Sequence, residues 1–290
     1  MVAFRRRRLS LPAPSEVAPR RLIRFLSATA TWGVFAILLM PYVAIRGKGD
    51  EIFAPIGLEG AERAAFFGVP TRLLQEHLYA TDVVWLDAAG FALHLSWFFL
   101  PFTFSLVVAF TERRKMLEFY CWVLATSYLS TLFYLLLPVR PPWMEPGITR
   151  ILAERNFIQY TQADDNPFAA FPSLHAAIPL VIALFFLLRS ERQRVLVWPI
   201  AAHGLLISAA VVYLGEHWVL DVVAGWALAG LVAWLFVSSR VSAALHRIPG
   251  DPLRLVQQLD AGIANLGHCT APPVAEEGTE AEFPPERRAA

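Results

Sequence analysis

Histidine and aspartate are expensive inside an apolar, membrane-crossing segment, so wherever they recur in such a chain they call for a reason. Three short stretches gather them with other polar residues: Pro138-Val-Arg-Pro-Pro-Trp143, Pro172-Ser-Leu-His175 and His217-Trp-Val-Leu-Asp221. The last carries the most explicit mechanics. His217 and Asp221 are four residues apart, one helical turn on one face, so the carboxylate can accept a hydrogen bond from one imidazole nitrogen. That fixes the tautomer and leaves the other nitrogen free to attack an electrophile. His175, opening a different segment, can serve as a general acid toward a leaving oxygen. Ser173 stands at a helix N-cap position, where its hydroxyl can cap the helix or donate to a phosphoryl oxygen, and both roles are open. The backbone N–H groups that start with Leu174 suit an anion. Arg140 offers a planar cationic fork suited to phosphate. Around this set, Asn166 can orient its loop or donate to a phosphate. Glu216 adjoins His217. His94 reads first as a structurally hydrogen-bonded residue and second as a neighbour of the site. Trp143 and Trp218 read as aromatic-belt anchors.

The elements that must hold these residues are apolar helices. The chain has 290 residues, 56% hydrophobic and 17% charged, against about 45–50% and about 25% in soluble domains. A net charge of +1 gives no basic excess to suggest nucleic acid as a partner. Cys121 and Cys269 lie in unlike contexts and read as neither a disulfide pair nor metal ligands. Six apolar runs are visible, at about 22–45, 88–110, 117–137, 173–188, 195–214 and 218–238. Each approaches the roughly 20 residues that span a bilayer. The first is too long for a signal-peptide core and reads as a retained span. Residues 46–87 are broken by glycine and proline and predict short interfacial pieces such as Thr71–Tyr79.

Six spans put both termini on one side. Arg5–Arg8, Arg113-Arg114-Lys115, Arg189, Arg192, Arg194, Arg240, Arg247 and Arg254 fall there, which the positive-inside rule reads as cytoplasmic. The 139–171 loop, the start of the fourth span and the turn at 215–217 then share the outer face. The expected fold is all-α: a basic cytoplasmic N-terminus (1–21), a six-span helix bundle with short interfacial helices (22–239), and a cytoplasmic tail (240–290). In that tail Asp251, Pro252 and Gly267 bound an amphipathic helix, and 270–290 has a disordered composition.

These motifs together resemble the type 2 phosphatidic acid phosphatase superfamily. Asn166-Pro-Phe-Ala-Ala-Phe-Pro-Ser-Leu-His-Ala-Ala177 and Tyr213-Leu-Gly-Glu-His-Trp-Val-Leu-Asp-Val-Val-Ala-Gly225 are similar to its inositol phosphorylceramide synthase-like branch, common in actinobacteria. The likeness implies that His217 attacks phosphorus, Asp221 orients it, and His175 protonates the departing alcohol and then activates the acceptor. It implies no metal or other cofactor, a lipid phosphate as substrate, and an alcohol or water as acceptor, in the plasma membrane of a bacterium. Two positions that are basic in the phosphatase pattern are Phe133 and Val211 here, and its second-motif glycine is Leu174. These departures tilt the expectation from lipid phosphatase toward phosphotransferase. Two other functions were weighed. A proton-relay transporter should show broken spans in two related halves, and no such symmetry is present. A metal-dependent hydrolase finds only a thin ligand set.

Overall fold

The computed structural model describes residues 14–79, 84–157 and 167–238, with a few positions between 258 and 265. Asn166, Asp82 and most of the expected tail helix lie outside them. Among the described residues the protein is all-α and has no strand; Ile56, Val139 and Ala169 form only isolated bridges. Ten helices follow in order: α1 Pro14–Ile45, α2 Glu59–Phe66, α3 Pro70–Leu74, α4 Val84–Ser96, α5 Leu100–Thr111, α6 Met116–Leu136, α7 Ile151–Glu154, α8 Leu174–Arg189, α9 Val197–Tyr213 and α10 Val219–Val237.

Among the described residues five segments are long and apolar enough to cross a membrane: Phe25–Ile45, Val84–Thr111, Arg113–Leu136, Arg194–Tyr213 and Val219–Val237. The expected fourth span is the shorter apolar helix α8, whose 16 residues rise about 24 Å, short of a hydrocarbon core of roughly 30 Å. It is also the centre of the bundle. α8 packs against α10, α9 and α6 and buries Ile178, Val181, Ile182, Phe185 and Phe186. α1 packs on α5 and α6 at the periphery and leaves Val34, Ile37, Leu38 and Met40 exposed, as a lipid-facing surface requires. Trp85, Trp198 and Trp234 are the outward tryptophans; they stand near helix ends, where an aromatic belt forms.

The second span is not continuous. Pro101 has no N–H to give to the Trp97 carbonyl. Leu100 donates there instead, and a 3-10 turn over Trp97–Phe99 separates α4 from α5. The break turns the Trp97 indole across to α8, where it donates to the Leu174 carbonyl at 2.8 Å. In α8 itself Pro179 withholds a bond from the His175 carbonyl. The proline ring is accepted by Gly204 of α9, where a Cβ would lie 2.9 Å from it.

The segment expected to hold short interfacial pieces carries the short helices α2 and α3 and is knitted into the bundle. Gln75 accepts from the Thr149 N–H and donates to the Thr149 and Tyr213 carbonyls, so it ties the 145–150 loop to the end of α9. Asp87, in the first turn of α4, is buried. It pairs with Arg155 at 2.7 Å and accepts from Tyr213.

The tightest junction joins the first turns of α8 and α10. The Ser173 N–H donates to the Asp221 carbonyl at 2.9 Å. A Cβ on Gly225 would lie 2.3 Å from the Ser173 carbonyl oxygen. Gly225→Ala must therefore separate the two helices, at a cost of about 1–3 kcal/mol. Thermal unfolding in detergent checks this, and an unchanged transition contradicts it.

Candidate active site

His217 follows a turn that only glycine makes easily. α9 ends at Tyr213, and Gly215 adopts φ +84°, in the left-handed region that penalises a side chain. The Glu216 and His217 N–H groups both turn back to the Val211 carbonyl. α10 starts immediately afterwards. Asp221 sits in its first turn, and its Oδ2 accepts the Trp218 N–H at 2.9 Å, satisfying a donor that the helix start leaves unpaired. The same oxygen faces His217 Nδ1 at 3.3 Å. One carboxylate thus fixes both the helix start and the imidazole.

The other nitrogen of that ring, Nε2, lies 3.0 Å from His175 Nδ1. With Nδ1–H of His217 given to Asp221, Nε2 is an acceptor and His175 Nδ1–H the donor. His175 Nε2 is buried with no hydrogen-bond partner among the described residues. The His175 ring packs against His94, stacked at 4.7 Å, and against Trp97 at 4.6 Å. His94 thus stands beside His175 and lines the same cavity.

These rings open onto a cavity of about 400 Å³, within the usual size for a small-ligand site. Tyr42 and Arg46 line it from α1 and the turn after it. Tyr134, Pro141, Trp143, Leu174 and Glu216 complete much of the wall. Glu216 is held in a two-point pair with Arg150, at 2.9 and 3.1 Å, and that guanidinium lies 4.6 Å over the Trp143 ring. Trp143 is thus a wall residue rather than a belt anchor. Trp218 is fully buried, its indole N–H bound to the Arg140 carbonyl; it is not a belt residue either.

The structure brings His175, His217, Asp221, His94, Leu174 and Glu216 together and leaves two expected residues apart from the cavity. Arg140 is not among its lining residues. Its guanidinium points to Glu145 at 3.4 Å, on the Gly57 side, and only its carbonyl serves the site through Trp218. Ser173 is the N-cap residue of α8, but its hydroxyl makes no capping bond and is buried without a partner among the described residues.

One contributor was not foreseen. Glu62 of α2 is fully buried, and its Oε1 accepts the Leu220 N–H at 2.9 Å, capping α10 from outside. Only its position in a short, otherwise ordinary helix marks it in sequence. Burial pushes its carboxyl above the ordinary carboxylate range against the lowering effect of the Leu220 N–H, and Asp221 adds to the rise.

A profile described as the PAP2 superfamily matches residues 58–235, more than half of the chain. The chain belongs to the PAP2 superfamily. It is 30% identical over 177 residues to a phosphoinositol dihydroceramide synthase of Bacteroides thetaiotaomicron, a match covering 52% of this chain and 56% of that protein. It is 35% identical over 79 residues to an undecaprenyl-diphosphatase of Sulfolobus acidocaldarius, covering 27% of this chain and 37% of that one. The chain spans about half the length, or less, of these curated relatives. No solved structure matches.

An acid whose folded pKa is raised favours the fold below its unfolded value, 4.5 for Glu62. That contribution is lost as pH rises through the folded value. Glu62→Gln keeps an acceptor for Leu220 and removes the titration. The fall in stability above pH about 4.5 should therefore be shallower in the variant, read by thermal unfolding across a pH series. An identical slope in both proteins contradicts the assignment.

Proposed function

We propose that this PAP2 protein is a lipid phosphotransferase of the inositol phosphorylceramide synthase-like kind, working through a phosphohistidine on His217. The observation that carries the reading is the unbroken relay from Asp221 through His217 to His175 at the floor of a cavity walled by aromatic residues. Asp221 holds Nδ1–H of His217, which leaves Nε2 as the nucleophile. Phosphorus enters between Nε2 and His175, displacing the contact that the two rings make with each other. The bond from Nε2 to phosphorus forms as the bond to the lipid or head-group oxygen breaks. His175, entering as the imidazolium, gives its Nδ1 proton to that oxygen and is left neutral. It then takes a proton from the acceptor hydroxyl, which attacks phosphorus and frees His217. The N–H groups at the start of α8 face the phosphoryl oxygens, with Ser173 a further donor. The roles are filled by side chains, and no metal takes part.

The site faces outward with both termini in the cytoplasm. Arg113, Arg114, Lys115, Arg189, Arg192 and Arg194 gather around one pocket at the far end of the bundle. The cluster sits on the two short loops that join α5 to α6 and α8 to α9, and basic residues on short loops support the orientation under the positive-inside rule.

Hydrolysis is the second reading, favoured by the partial match to an undecaprenyl-diphosphatase. The same relay serves water as well as an alcohol at the second step. A reconstituted assay separates the two. Lipid phosphates and phospho-head-group lipids are offered with and without alcohol acceptors, and the product is scored as a new phosphodiester or as free phosphate. Transfer predicts acceptor-dependent phosphodiester, unaffected by chelators. His175→Ala should lower turnover about 10²–10⁴-fold. Full turnover in His217→Ala would remove the nucleophile assignment.

A further inference from the structure

A phosphoryl group brings one to two negative charges into the cavity. Burying such charge at the end of an apolar bundle is costly unless a cation pairs with it. The two basic positions of the phosphatase pattern are apolar here. Phe133 is partly exposed on α6 and Val211 is fully buried. Arg140 turns its guanidinium to Glu145, away from the cavity, and Arg150 is taken up by Glu216.

We propose that Arg46, at the end of α1, is the phosphate-binding cation of the site. Among the described residues it is the arginine that lines the cavity, on the same wall system as His175 and His217. It lies outside residues 58–235, so the family match does not reach it. Its placement is built in. The turn Arg46–Lys48 lies against α6. Gly49, just after it, sits so close that a Cβ would fall 1.9 Å from the Tyr134 carbonyl oxygen. Tyr134 lines the same cavity, and its hydroxyl donates to the Pro172 carbonyl, one residue before Ser173. A side chain at this glycine would push the Arg46 turn off α6 and out of reach. The Arg46 guanidinium can grip two oxygens of a phosphoryl group while the imidazoles work on the others.

The inference rests on the phosphoryl-transfer reading and deepens it by naming the charge partner. Its test needs no turnover. The purified full chain in detergent is titrated with inorganic phosphate, at ionic strength held constant with chloride, and thermal unfolding is followed. Wild type should show saturable stabilisation. Arg46→Ala should weaken the apparent phosphate affinity about tenfold or more, as expected for losing charge-assisted hydrogen bonds. Arg46→Lys should fall between, keeping charge without the fork. Arg63→Ala, an exposed residue paired with Glu59, should match wild type. An unchanged titration in Arg46→Ala overturns the inference, as does a loss that follows Arg140→Ala instead, or no saturable effect in wild type. The phosphoryl-transfer reading fails on a different observation, wild-type protein that converts none of the lipid phosphates in the reconstituted panel.

Discussion

Asp221 is committed three ways at once, and the rest of the site is arranged around that fact. Its backbone carbonyl takes the Ser173 N–H from α8. Its Oδ2 takes the Trp218 N–H and faces His217 Nδ1. A single residue therefore ties the start of α10 to the start of α8 and sets the tautomer of the ring between them. Gly225, one turn further on, permits the contact, because any side chain there would meet the Ser173 carbonyl. Glu62 closes the same helix start from the outside. Moving α10 by even a fraction of a residue would disturb the capping, the imidazole and the neighbouring helix together, which is how a bundle of sliding helices holds two histidines 3.0 Å apart.

Much of this was legible in the sequence, because the features in question are local. The i,i+4 spacing of His217 and Asp221, the apolar runs and the glycine before His217 each follow from helix geometry or turn chemistry within a few residues. The three motifs converge because their helices all end or begin at the same end of the bundle, which alternation of spans dictates. What local pattern could not supply was side-chain direction. Arg140 lies in the expected loop, yet Glu145 five residues later draws its guanidinium away. Trp218 looks like a belt residue in sequence but turns inward to the Arg140 carbonyl. The break at Trp97–Phe99 was hidden in a continuous apolar run, although Pro101 is its cause. Glu62 caps α10 across 158 residues and Arg46 lines the cavity from the turn after α1, and such distances leave no periodic trace.

The electrostatic picture is one of local neutralisation around a polar floor. Glu216 is next in sequence to His217, yet its charge is taken by Arg150, which in turn stacks on Trp143. The cavity thereby keeps a wall that is rigid and close to neutral. Under the proposed reaction, a phosphate entering it would meet imidazoles, helix N–H groups and the Arg46 guanidinium rather than a bare carboxylate. His94 and Trp97 pack on the His175 ring, whose Nδ1 is directed to His217 Nε2. Preorganisation of this kind lets a small set of side chains work without being rearranged during the reaction.

The central claim is covalent chemistry at one atom, Nε2 of His217. The direct measurement is to mix the protein with a turned-over lipid phosphate, denature it in alkali, where phosphohistidine survives, and map the phosphorylated peptide by mass spectrometry. The account predicts phosphate on His217, present only with substrate and accumulating when the acceptor is withheld. Phosphate on another residue, or undiminished turnover with no phosphoenzyme at any time, would contradict it.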